Sequence, residues 1–164
     1  SLTEIFDSWT CKSKFLLKDL LSKNENEFLI DTPNTCRYFT TASSKKLSRT
    51  GSITVFAKDK KSFNLIYCLI NSSFAYWWWR IYDGGITYPV GLFNNLPIPL
   101  NLLTDDDDKF FEKITDEMTR NESKFIVTKL NAGVAQENIK FPENYREMIN
   151  NRLLSILGFP ITYH

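Results

Sequence analysis

One histidine, His164 at the last position, is all that this 164-residue chain offers of that side chain. A histidine-based catalytic triad, a histidine-rich metal site and a zinc finger are thereby set aside. The three cysteines, Cys11, Cys36 and Cys68, are odd in number, far apart and without a C-x-x-C pair. They read as reduced thiols of a cytoplasmic protein rather than as a disulfide framework. Neither G-x-G-x-x-G nor G-x-x-x-x-G-K-[ST] occurs, so no nucleotide-binding loop is evident. The first residue is Ser1 and no charged-then-apolar leader follows it, and the expectation is a fragment of a longer polypeptide. The apolar stretch at residues 63–82 contains Asn64, Asn71, Ser72, Ser73 and Arg80. It therefore falls short of the roughly 18 uninterrupted apolar residues expected of a membrane span.

What the chain has in quantity is aromatic side chain, at 15% of residues within a hydrophobic fraction of 43%. That suffices for a folded core. Apolar spacing predicts a helix over 2–22, carried by Ile5, Phe6, Trp9, Leu16, Leu17 and Leu20. "NENE" and "DTPN" then break it. Residues 36–43 and 53–59 read as two strands of a hairpin with a long basic loop between them. Ser62 is placed to cap a helix over 63–82, about 30 Å long, ended by Gly84 and Gly85. Pro89, Pro97 and Pro99 keep 86–100 extended or turning. From Thr104 a long helix is expected to run to Leu130, and a last amphipathic helix to end at Gly158.

The fold class that follows is α+β: a small antiparallel sheet packed on a long central helix, with additional helices at both ends. The segments are 1–35, an N-terminal helical segment, 36–100, an α+β core, and 101–164, a C-terminal helical segment.

The stretch "NSSFAYWWWRIYDGG" holds Trp77, Trp78 and Trp79 in succession. Successive helical residues lie about 100° apart, so the three rings cannot share one face. Ile66, Leu69, Ile70, Phe74, Trp77, Trp78 and Ile81 are expected to pack on the sheet, with Tyr76 and Trp79 turned elsewhere. Core packing is the default; base stacking by Trp79, Tyr82 or Tyr88 is the alternative.

Between residues 36 and 61 lie Arg37, Lys45, Lys46, Arg49, Lys58, Lys60 and Lys61 against the single acid Asp59. That is an excess of six positive charges in a chain whose total is +1. A phosphate-binding surface has this signature, although lysine also collects in solvated loops. Asp105 to Asp108 form an acidic run, which Thr104 and Asp107 turn into a capping box at a helix start. Asp108 with Glu122 and Lys124 matches the letters of a two-metal nuclease, but a helical reading of the intervening residues separates them. "NLPIP", at 95–99, lacks the first proline, replaced by Leu96, and the aromatic, replaced by Ile98, of the Asn-Pro-Pro-aromatic motif of adenine methyltransferases.

Three blocks carry a family likeness: "CRYFTTASSKKLSRTGSITVFAKD", "LIYCLINSSFAYWWWRIYDGGITYPVGLFNNLPIP" and "KLNAGVAQENIKFPENYREMIN". Together they cover about 36–150. They resemble the C-terminal target-recognition region of bacterial restriction–modification adenine-specific DNA methyltransferases, of the type that joins methylase and specificity region in one chain. The element "LINSSFAYWWW" followed by a turn and "LPIP" is the most specific part; residues 1–35 match nothing nameable.

The resemblance implies a non-catalytic module that binds double-stranded DNA and directs a methylase domain of the same parent chain. S-adenosylmethionine is then expected on that methylase domain, with no cofactor and no metal here. Contacts are assigned from charge and placement alone. Lys45, Lys46 and Arg49 are expected to meet phosphates or bases from the hairpin loop, with Arg37 nearby. Lys58, Lys60 and Lys61 are expected along the backbone at the start of the central helix. Arg80, Thr87 and Tyr88 form a second set at its far end. The competing readings are a protein-interaction module using the terminal helices and a stripe of Phe110, Phe111, Ile114 and Met118, and, more remotely, the nuclease.

Overall fold

The computed structural model describes residues 1–35, 38–83, 85 and 87–160. Ser1 caps the first helix, α1 (Leu2–Lys12), by accepting from the Glu4 amide. The helix expected to reach residue 22 stops at Lys12, with Ser13 extended. The apolar stripe lapses there: one turn beyond Trp9 stand Lys12 and Ser13, both polar. Phe15–Leu16 forms the two-residue strand β1, and a 3-10 turn at Leu17–Leu20 sends Leu17 and Leu20 into the core.

The ladder partner of the expected second strand is not residues 36–43. Strand β2 (Leu29–Pro33) pairs antiparallel with β3 (Ser52–Phe56), Leu29 opposite Phe56 and Pro33 opposite Ser52. Pro33 stands at the last ladder position, where a missing N–H is tolerated. Residues 38–42 are irregular, Ser43 makes an isolated bridge to Asp31, and Cys36 and Arg37 lie outside the described residues.

The expected single central helix is two: α2 (Lys60–Ile70), capped by Asp59 rather than Ser62, and α3 (Ser73–Tyr82). Asn71 and Ser72 cause the break by competing for the backbone. Asn71 Nδ2 donates to the carbonyls of Ala42 at 3.2 Å and Tyr67 at 3.1 Å, and its Oδ1 accepts from the Ala42 amide at 2.8 Å. Ser72 Oγ donates to Leu69 O at 2.6 Å and accepts from the Phe74 amide, capping α3. Helical phase is lost across the break, so Ile81, assigned to the packing face, is half exposed. All residues from 62 to 70 are buried, so α2 is covered all round.

The tryptophans are mainly core. Trp9 packs on Phe74 and Trp78, with centroids 5.2 and 5.7 Å apart, and its Nε1 donates to Pro97 O at 3.0 Å. Trp78 donates to Leu92 O at 2.9 Å. Trp79 turns away from the packing face as expected and meets the proline-rich segment, donating to Thr87 O and stacking on Tyr88. That segment contains a short helix, α4 (Val90–Asn94), before β4 (Pro97–Ile98) pairs with β1. Gly84, expected at the helix end, is outside the described residues.

Thr104 and Asp107 form the capping box of α5 (Asp105–Asn121). The expected continuation to Leu130 does not occur. A 3-10 turn (Glu122–Phe125) leads into a hairpin of β5 (Ile126–Asn131) and β6 (Val134–Ile139). Ile126, Val127 and Thr128 are β-branched in succession and favour a strand. Ala132 (φ 52°) and Gly133 (φ 81°) supply the two positive-φ positions of the tight turn. Finally α6 (Glu143–Ile156) ends at Gly158 as expected: Phe159 N donates to Leu154 O and Gly158 N to Ser155 O.

The result is α+β, with three two-stranded antiparallel sheets among the described residues in place of one. Residues from all three sequence segments share one hydrophobic core. The Phe111, Ile114 and Met118 stripe is buried in it, and Phe110 lies under the Arg152 guanidinium at 4.3 Å. Cys68, beside Thr115, has its thiol pushed up to about 12 by burial. No helix among the described residues is long and apolar enough to cross a membrane. Replacing Asn71 with Ala strands the Ala42 amide and carbonyl; a loss of about 3 kcal/mol is expected in urea unfolding, and a loss under about 0.5 contradicts this account of the break.

Candidate nucleic-acid interface

The basic loop at 43–51 is held from three sides. From below, Asp31, completely buried, exchanges both backbone hydrogen bonds with Ser43 at 2.9 Å. Its Oδ2 accepts from the Leu47 amide at 3.0 Å and from Arg49 Nη2 at 2.9 Å, and its Oδ1 accepts from Thr54 Oγ1 at 2.8 Å. From the end of α5, Glu122, 3% exposed, accepts from the Ser44 amide at 2.8 Å, Ser44 Oγ at 2.9 Å and Tyr67 OH at 2.6 Å. Along the outer edge of β6, Glu137 N donates to Ser48 O and Glu137 Oε1 accepts from Ser48 N. Gln136 Oε1 accepts from the Thr50 amide, and Arg49 Nη1 donates to Asn138 Oδ1 at 3.1 Å. Gly51 closes the loop at φ +70°; a Cβ there would stand 2.6 Å from Asn34 Oδ1.

Burial governs the electrostatics. It pushes the Glu122 carboxyl above its usual value, against the lowering effect of the Tyr67 and Ser44 donors. It pushes the Tyr67 phenol well above 10, an effect that Glu122 reinforces. Burial also lowers Arg49, and the Asp31 carboxylate counters it. Arg49 Nε is buried with no hydrogen-bond partner among the described residues.

The ten candidate contacts sort differently from the expectation of one basic arm. Lys45 and Lys46 are exposed on the clamped loop and join no ion pair among the described residues. Arg49, on the same loop, is turned inward to Asp31 with its side chain 5% exposed. Lys60 is held by Asp116 at 2.8 Å and by Asn64 at 2.8 Å, and Lys61 by Asp108 at 3.2 Å, so α5 neutralises the start of α2. Asp59 also takes the Ser62 amide at that helix start. Lys58, Arg80 and Thr87 are exposed. Tyr88 is buried, its hydroxyl donating to Ala75 O at 3.1 Å, and Arg37 lies outside the described residues.

The nuclease letters do not converge. Asp108 lies in the first turn of α5 and Glu122 just past its last residue, about 21 Å away along the axis. The Glu122 carboxylate is fully engaged by Ser44 and Tyr67.

Sequence reading missed the β5–β6 hairpin. Its signal was "NAG" between two β-rich runs, overridden by the helical pattern before it.

A raised carboxyl pKa favours the folded state at low pH and loses that advantage as pH rises. The stability of the wild type relative to Glu122→Gln is therefore expected to fall as pH rises from 4.5, the usual value for this group, through the raised value of the folded state. Parallel urea titrations of both proteins across pH measure this, and a flat or rising difference contradicts it.

Comparison with family models, with curated proteins and with solved structures returns no match to this chain.

Proposed function

We propose that the chain is a double-stranded DNA recognition module, non-catalytic by itself, that serves an adenine-specific restriction–modification methylase. The observation that carries this reading is the clamped loop. Two buried carboxylates and the edge of β6 fix its backbone, while Lys45 and Lys46 stay exposed and outside any ion pair among the described residues. Fixing the loop before binding lowers the ordering cost of engaging phosphates. Lys58 extends the same basic character; Arg49 positions the loop rather than touching DNA. In this reading the methylase domain of the parent chain holds S-adenosylmethionine, and the setting is the bacterial cytoplasm.

One observation favours a second reading, a protein-docking module. A cleft of about 420 Å³ lies between α1, α3 and α6, lined by Leu2, Ile5, Trp77 and Leu154. This is a different surface from the Phe110–Met118 stripe, which the core consumes.

Binding of a mixed-sequence fluorescent duplex across a salt series separates the two. For Lys45→Ala/Lys46→Ala the salt slope is expected to shrink by roughly 2 and the affinity to drop at every salt concentration. A wild type that binds no duplex at low salt contradicts the DNA reading and favours the cleft.

A further inference from the structure

Every residue from 127 to 135 is exposed, on both faces of the β5–β6 ribbon. Leu130 is 78% and Val134 55% exposed, and neither belongs to the hydrophobic core cluster. A lone two-stranded hairpin is marginal in water. Among the described residues its hydrogen-bonded anchors lie at its base, where Ile139 is buried and Lys140 N donates to Phe125 O at 2.8 Å, and along β6, where residues 48–50 bind. Its outer part contributes nothing to the core of this chain.

Its chemistry is divided along its length. Cross-strand pairs place Lys129, Asn131, Val134 and Gln136 on one face, with Thr128, Leu130 and Ala135 on the other. Gln136 is spent on the Thr50 amide, whereas the side chains of Lys129 and Asn131 are unpaired among the described residues. At the base, Lys124 and Lys140 are exposed on either side of the ribbon. Lys45 and Lys46 complete the collar, because Ser44 is bonded to Glu122 immediately before that base. None of the four lysines joins an ion pair among the described residues.

We infer that the β5–β6 ribbon enters the major groove of the duplex and reads base edges near its tip through Lys129 and Asn131, while the lysine collar at its base sits on the flanking phosphates. This rests on the DNA reading above. A six-residue strand is about 20 Å long, and a two-stranded ribbon fits a groove about 12 Å wide. Lysine suits the guanine acceptors, asparagine pairs with adenine, and Val134, on the same face as both, suits a thymine methyl group. The cationic base and the nearly uncharged tip match phosphates outside and bases inside.

The test selects bound duplexes from a random pool with the wild type, Lys129→Ala/Asn131→Ala and Lys124→Ala/Lys140→Ala. Thermal unfolding of each variant verifies its fold, and these exposed positions are expected to leave it unchanged. The tip variant is expected to lose at least tenfold of its discrimination between the selected and a scrambled duplex, while its salt slope falls by no more than about 1. The collar variant is expected to bind all duplexes more weakly and to lose about 2 from the slope. A folded tip variant that selects the wild-type sequence with undiminished discrimination overturns the ribbon inference and leaves DNA binding standing. A wild type that binds no duplex overturns both.

Discussion

The architecture of the candidate interface depends on one carboxylate. Asp31 is shut away from solvent, and an unpaired charge there would be prohibitive. Its surroundings offer compensation in kind: a guanidinium, a hydroxyl and a backbone amide, all from residues 47–54. Satisfying Asp31 therefore fixes the path of the basic loop. Arg49 is consumed in the process, and its second nitrogen ties the loop to Asn138 on β6. Glu122 repeats the device from the opposite side, binding Ser44 to the end of α5 and, through Tyr67, to α2. Removing one member of such a buried pair generally costs about 3–5 kcal/mol, so the loop is part of the folded body.

The aromatic stretch does complementary work. Trp9, Trp78 and Trp79 each bury an indole and each aim its N–H at a carbonyl of residues 87–97. Indoles can be buried at little cost when the N–H is satisfied. They staple the proline-rich segment to α1 and α3, which frees no aromatic of that set for base stacking. Of the three rings weighed for stacking, Trp79 and Tyr88 are core, and Tyr82, 57% exposed, rests on Trp78 at 4.3 Å.

Much of this fold was legible where local chemistry and tertiary context agree. The Thr104–Asp107 box, the Gly158 stop and the strand at 52–56 follow from side chains acting within a few residues. The failures share a cause. Helical spacing runs across 63–82, but Asn71 finds Ala42, twenty-nine residues away, and takes its backbone bonds there. Residues 36–43 look like a strand, yet the ladder goes to residues 29–33, whose Asp31 and Pro33 argue locally against it. The site was half legible: charge density pointed to the loop, but composition could not tell Lys45, left in water, from Arg49, recruited by a buried acid, or Lys61, neutralised by Asp108. Those assignments depend on partners 18 and 47 residues away in sequence.

The most direct measurement is amide chemical-shift mapping of the chain titrated with a duplex. The account predicts changes concentrated at residues 45–50 and 124–140, with the α1–α3–α6 cleft around Leu2, Trp77 and Leu154 undisturbed. Changes centred on that cleft, with residues 45–50 and 124–140 silent, would contradict it.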